Sequence, residues 1–344
     1  MRKVRKVRHK SPRGNQVFLG IVVLGLLLLL ILTGKMLGLI SSFGQPYAPD
    51  APLRSPRISW EDGETLNLLV KAREVSLLSF NPKGKSTVVL IIPEEIQMHL
   101  PFGFGNWPVR SIYGLGQAES RPRGAELLSE TVSQNFSLPV QGYLLLPQNV
   151  DLSFDEVLKK VKDEPLWGLG ILRNSKTDLS PRELWNLFSH LREVRSDKVE
   201  VVDLAESKAV KESTLPDGSR SLTLNQVLLD QLIQSKIEDS KLKDESLTVG
   251  IFNTTTYQGL AEKVAREITN MGGRVVFTAS SPDHLEVTVV KGKPSYTIDL
   301  LSKILAPHCE KKEKCPVSGS NLDLSRADIN IILGEDYFLR YNTR

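Results

Sequence analysis

The sequence predicts an α/β protein with a membrane anchor, a larger mixed domain and a small βαββαβ sandwich after it. Three observations carry this. Val17 to Gly34 runs eighteen residues without a charge. From Leu66 onward, short apolar and β-branched runs alternate with helical ones. The closing stretch, 246–344, reads strand, helix, strand, strand, helix, strand.

The anchor comes first. At 1.5 Å per residue the uncharged run makes a helix of roughly 27 Å, close to a hydrocarbon core. Continuing through "KMLGLI" extends it to 17–40, with Lys35 able to snorkel. A soluble core helix would show polar positions at every turn. Arg2, Lys3, Arg5, Lys6, Arg8, Lys10 and Arg13 precede the run, and no acid does. The positive-inside rule then keeps the tail 1–16 in the cytoplasm and exports the rest. A cleaved signal peptide is the competing reading, but the run exceeds an h-region and no A-x-A-like site follows.

Charge narrows the function. The formal net charge is +4, yet the seven tail cations and Lys35 leave 36 Lys and Arg against 40 acids in the exported part. That part is near −4, which argues against a nucleic-acid partner; the basic tail suits a membrane surface. The segment 41–64, with Pro46, Pro49, Pro52 and Pro56, reads as a semi-rigid spacer.

In the first exported domain, 65–205, "LNLLV", "VSLLSF" and "TVVLII" are strands. The last two are joined by "NPKGKS" as a hairpin. A glycine-rich loop, "PFGFGNWPVRSIYGLGQ", follows, then a helix from about Gly124 to Gln134. "GYLLL" is a strand, helices are expected at Phe154–Val161 and Glu183–Val194, and "KVEVVDL" is the closing strand. The connector 206–245 is charged at both ends, with a short helix in "LNQVLLDQLI".

In the last domain, "SLTVGIFN" enters as a strand. Leu260, Ala261, Val264, Ala265, Ile268 and Met271 share a helix face. Glu262–Arg266 and Lys263–Glu267 are expected as outward pairs, and Gly272-Gly273 as the left-handed stop. "RVVFTA", "LEVTVV" and "ADINIILG" are the remaining strands, with a helix in "SYTIDLLSKILA". The turn "NTTTYQG" is either an anion site at a helix N-terminus or the corner of a strand-to-helix turn. The corner is the preferred reading; Asn253, Thr255 and Gly259 are the residues that would bind.

No G-x-S-x-G, Walker loop or H-E-x-x-H occurs, and the five histidines (9, 99, 190, 284, 308) lack metal-ligand spacing. Cys309 and Cys315 in "CEKKEKC" can close a small disulfide ring outside the cytoplasm. A metal there lacks further ligands, although His308 is adjacent.

Two stretches resemble known families. "VSLLSFNPKGKSTVVLIIPEEIQMHLP", the "VRSIYGLG" loop and "ELLSETVSQNFSLPVQGYLLL" resemble the LytR–CpsA–Psr envelope phosphotransferases over 65–205. That resemblance implies transfer of glycopolymers from polyprenyl-pyrophosphate carriers to peptidoglycan, with arginines on the pyrophosphate and an Asp-bound magnesium. The chain departs from it where the charge matters. Glu94-Glu95 stand in place of the Arg-Asp that should follow Ile92-Pro93, and Ala72-Arg73-Glu74 in place of an expected Asp. Arg110, Arg121 and Arg123 are the nearby cations that could contact phosphate instead. "VGIFNTTTYQGLAEKVAREITNMGGRVVF", "LEVTVVKG" and "ADINIILGEDY" resemble the LytR C-terminal domain over about 246–338, with Thr254 replacing its usual Gly.

The resulting expectation is a non-catalytic envelope protein binding peptidoglycan, polyprenyl-linked glycan or envelope proteins, without a cofactor. The alternative is a diverged phosphotransferase using magnesium. A transmembrane sensor is disfavoured by the short cytoplasmic tail.

Overall fold

The computed structural model describes residues 35, 45–50, 57–120, 123–147, 149–214, 220–305 and 326–342. The expected anchor at 17–40 (save Lys35), Arg121 and both cysteines lie outside them. Among the described residues no helix is long and apolar enough to cross a membrane.

The first unit is built on a six-stranded mixed sheet ordered β7-β6-β1-β2-β3-β8. β1 (Leu66–Lys71), β2 (Val75–Asn81) and β3 (Ser86–Ile92) form an antiparallel meander. The predicted hairpin is in register from Val75 opposite Ile92 to Asn81 opposite Ser86. Its turn is held by Asn81 Oδ1, which accepts the Gly84 N–H at 3.1 Å. β6 (Gly142–Leu145) runs parallel to β1, and β8 (Val199–Asp203) parallel to β3. The two-residue β7 (Lys176–Thr177) forms the edge.

Both faces of this sheet are covered, so its strands read as continuous apolar runs without alternation. Leu66, Leu68, Val70, Leu78, Phe80 and Val89 pack on one side. Leu69, Leu77, Leu90 and Ile92 pack on the other, in a core that continues into the C-terminal unit.

The glycine-rich stretch is not a loop throughout. β4 (Ile96–Leu100) pairs with β5 (Gly105–Pro108), and Val109–Gln117 is a helix, α1. Val109, Ile112 and Gly116 are its buried positions. The glycines serve a close helix crossing: a Cβ on Gly116 would lie 2.8 Å from the Cα of Gly124, in α2 (Gly124–Phe136). Only Gly103 and Gly105, at φ +73° and +79°, occupy true turn positions here.

Three helices cover the first sheet face: α3 (Phe154–Asp163), α4 (Pro165–Asn174) and α5 (Pro181–Glu193). The sequence reading lacks α4, whose two glycines and proline hide its pattern. α3 and α5 both start on capping boxes, Ser153 with Glu156 and Ser180 with Glu183. The connector carries β9 (Val210–Thr214) and β10 (Arg220–Leu224), which join the β4–β5 hairpin in a second sheet ordered β5-β4-β10-β9. α6 (Gln226–Lys236) and α7 (Ser240–Glu245) follow.

The C-terminal unit holds β11 (Thr248–Asn253), α8 (Leu260–Asn270), β12 (Arg274–Ser280), β13 (Val289–Gly292), α9 (Tyr296–Leu305) and β14 (Ile329–Leu333). These form the expected βαββαβ order on a sheet β12-β11-β14-β13, and α10 (Glu335–Asn342) is added at the end. The third strand begins at Val289, later than the "LEVTVV" pattern suggests. The helix stop is as read, with Gly272 at φ +97°. The expected pairs do not stand outward as read: Lys263 and Glu267 attract one another, but on the buried side of the helix. Arg266 turns to Asp230 of α6, 2.7 Å from each carboxylate oxygen, and Glu267 is buried.

Candidate functional site

The strongest site is a cavity with no polar lining. Leu68, Leu78 and Leu144 form its floor on the sheet, and Val161, Leu172 and Phe188 represent α3, α4 and α5 above. Every lining residue is Leu, Val, Ile, Phe or Gly. The cavity itself measures about 50 Å³. Gly168 sets the roof: a Cβ there would meet the methyls of Val161 at 3.1 and 3.2 Å, so its absence lets α4 settle onto α3. Without a donor or acceptor in the wall, only an apolar guest gains on entry.

Beside the cavity, the chain ahead of the first unit is pinned to the sheet edge. Tyr47 N–H donates to Leu179 O at 2.9 Å, and Ala48 bridges Thr177. Asp50 then collects Lys176 at 2.8 Å, Tyr113 Oη at 3.3 Å and the Gln117 amide, while its N–H donates to Tyr143 Oη at 2.7 Å. Burial and the Asp50 carboxylate push the Tyr113 phenol up; the Asp50 hydrogen bond raises Lys176. Next to this cluster Asp178 accepts the Tyr143 N–H at 2.8 Å, and burial lifts its carboxyl to about 7. Glu183 goes the other way. Burial alone would raise it, but Arg57 at 2.5 Å and the Ser180 donors hold it below the usual range. The oxygens of Asp50 and Glu183 are spent inside the protein, so these groups position the edge strand and α5.

Of the cations expected to replace the phosphate grip, Arg110 and Arg123 lie among the described residues. Arg110 is exposed at the start of α1, its N–H donating to Glu94 O at 3.1 Å. Glu94 and Glu95 form the turn between β3 and β4. Arg123 is 3 % exposed, stacked 4.4 Å over the Phe102 ring and 3.6 Å from Glu119. Among the described residues no three His, Cys, Asp or Glu side chains come together to hold a metal.

The family described as LytR cell envelope-related transcriptional attenuator matches residues 246–337. The C-terminal unit matches the LytR C-terminal domain. Among solved structures, the chain is similar to yvhJ from Bacillus subtilis, at 13% identity and a TM-score of 0.39, covering 50% of this chain and 95% of that one. It is similar to B. subtilis TagT at 18% identity and 0.37, covering 55% and 94%. A LytR-CPS2A-psr family protein, YwtF (TagT) with bound octaprenyl pyrophosphate lipid, gives 16% and 0.35, covering 55% and 93%. No curated protein matches the chain.

Within the LytR C-terminal domain, the turn that could bind is closed on itself. Asn253 Oδ1 accepts the Thr255 N–H at 3.0 Å and hydroxyl at 2.7 Å, and Asn253 Nδ2 donates to Tyr257 O at 2.7 Å. Thr254 is fully buried and donates to Leu333 O at 2.6 Å. Gly259, at φ +78°, precedes the first turn of α8 and lies away from the Asn253–Thr255 pair in sequence. The closing "LGEDY" has a similar local logic. A Cβ on Gly334 would lie 2.5 Å from the Val287 carbonyl carbon. Asp336 accepts the Thr288 N–H and hydroxyl at 2.8 and 2.7 Å. Tyr337, 1 % exposed, donates to the buried Glu267 at 3.1 Å. The LytR C-terminal domain thus spends its motif residues on its own fold.

Sequence reasoning missed the cavity and the Asp50 cluster. The one signal for the cavity was the charge-free "PLWGLGIL" ahead of Arg173, passed over for its glycines.

Proposed function

We propose that the protein is a single-pass, membrane-anchored extracytoplasmic protein that serves cell-envelope assembly by binding. Its first unit takes one end of the hydrocarbon chain of a polyprenyl-linked glycan carrier. The observation that carries this reading is the wholly apolar cavity between the six-stranded sheet and α3–α5. Polyisoprenoid chains offer the unbroken apolar surface that such a wall rewards. Catalysis is not part of the proposal. Phosphoryl transfer depends on cations set against the phosphate charge, whereas Glu94 and Glu95 add negative charge and Arg123 is fixed under Phe102.

Octaprenyl pyrophosphate, the lipid carried by one of the similar structures, is the natural probe. Full-length protein in detergent should bind it, and Leu172→Trp, which fills the cavity, should abolish binding while thermal unfolding stays cooperative. Unchanged binding in that variant removes the cavity from the reading. Magnesium-dependent release of the lipid, lost in Arg110→Ala, would establish the diverged phosphotransferase instead. A reporter fused after Arg344 should be active outside the membrane; cytoplasmic activity would overturn the topology.

A further inference from the structure

α4 is apolar on two sides. Gly168, Ile171 and Leu172 face the cavity, while Leu166 and Leu169 face away from it, 84 % and 44 % exposed. Trp185, one turn into α5, is 65 % exposed. A helix of a soluble domain puts charge on its outer face; α4 has none before Arg173. Leu166 and Leu169 share one segment, and large exposed apolar side chains grouped in this way mark a surface that meets something apolar.

Two facts identify what it meets. The chain ahead of the first unit joins the protein at this edge: Tyr47 and Ala48 bond to Leu179 and Thr177, in the segment between α4 and α5. Tyr47 follows Ile40, the end of the apolar run, by only seven chain steps. Fully extended they span roughly 25 Å, so the α4–α5 edge cannot stand far from the end of the anchor. Between Pro165 and Trp185 the exposed charges are Arg173, Lys176 and Arg182, of which Lys176 is paired with Asp50, and the exposed Asp163 and Glu164 stand just ahead of α4. Arg173 and Arg182 are thus the cations this edge offers to anionic headgroups.

We infer that Leu166, Leu169 and Trp185 sit in the headgroup region of the bilayer, docking the first unit on the membrane beside its own anchor. The inference rests on the reading of 17–40 as that anchor. Tryptophan suits this depth, with its ring in the apolar boundary and its N–H in water. The docked edge also brings the cavity behind α4 to the lipid surface, so a hydrocarbon chain can pass from bilayer to protein without crossing water.

The test uses the full chain reconstituted into phosphatidylglycerol–phosphatidylethanolamine vesicles whose acyl chains carry bromine, which quenches tryptophan on contact. The expected result is co-flotation with the vesicles and a loss of emission that disappears in Trp185→Phe and persists in Trp107→Phe. Leu166→Glu with Leu169→Glu, both at exposed positions, should still float and should lose the quenching. Flotation without Trp185-dependent quenching overturns the docking and leaves the anchor standing. A disulfide between copies carrying Leu166→Cys, in place of quenching, would assign the patch to a second copy and overturn it too. Failure to float removes the anchor reading and the docking together.

Discussion

Lys303 of α9 places its ammonium 2.9 and 3.0 Å from the two carboxylate oxygens of Glu64, the residue just ahead of Thr65 and β1. The contact ties the LytR C-terminal domain to the entry of the first sheet. Lys303 is almost fully buried, and its second partner, Glu61 at 3.3 Å, is largely exposed. Breaking a buried pair from one side leaves an uncompensated charge. Glu64→Ala should therefore cost about 1–3 kcal/mol of unfolding free energy, with Glu61 moderating the loss. Lys303→Met should cost less, because it removes the buried charge as well. Denaturant titration of the two variants gives the order, and the reverse order would refute it.

The crossing of α1 and α2 gives a pair of opposed predictions. Gly116→Ala drives a methyl to 2.8 Å from backbone at Gly124, where neither helix can yield cheaply. Overpacking of this kind costs about 1–3 kcal/mol. Gly114, on the same helix, is exposed and has open space around its Cα. Gly114→Ala should stabilise the protein by up to about 1 kcal/mol through helix propensity. Equal effects in thermal melts would show that α1 does not pack on α2 through Gly116.

These glycines also mark where the sequence was legible and where it was not. The meander β1–β3 and the strands of the C-terminal unit were readable because burial on both faces writes continuous runs such as "TVVLII" and "INIIL". Gly114 and Gly116 read as loop formers, since their role depends on a partner helix that local pattern does not reveal. Glu267 looked like an outward charge and is instead buried against Tyr337, 70 residues away. The cavity was invisible for a related reason. Leu68, Val161 and Phe188 are the residue types of a solid core, and only the fit of α3–α5 over the sheet decides whether space remains.

Asp178 makes stability depend on pH. Burial raises its carboxyl from the ordinary 3.8 to about 7, so the folded state favours the protonated form. The stabilisation is complete below the unfolded value near 3.8 and is lost as pH rises through about 7. The melting temperature should fall between pH 4 and pH 7 on this account, and Asp178→Asn should flatten that slope. The asparagine oxygen can still accept the Tyr143 N–H. Above neutral pH the variant should be more stable than the parent by about 1–3 kcal/mol. An unaltered slope in Asp178→Asn would assign the pH dependence to another group, Glu130 being raised to about 7 as well.

The turn at Asn253 decides whether the LytR C-terminal domain binds through its strand-to-helix corner. Its side chain makes three hydrogen bonds, to the Thr255 N–H, the Thr255 hydroxyl and the Tyr257 carbonyl, which together fold the loop back before α8. Each polar group spent in this way is withdrawn from a ligand. Asn253→Ala removes all three bonds and leaves the Thr255 N–H without that acceptor, at a cost of about 1–3 kcal/mol. Thr255→Val keeps the Asn253 bond to the backbone and should cost less. If the turn is a structural corner, both variants should bind peptidoglycan or octaprenyl pyrophosphate as the parent does, measured well below their melting temperatures. A loss of binding in Thr255→Val with stability intact would make the hydroxyl a ligand contact, and the corner would then be a site.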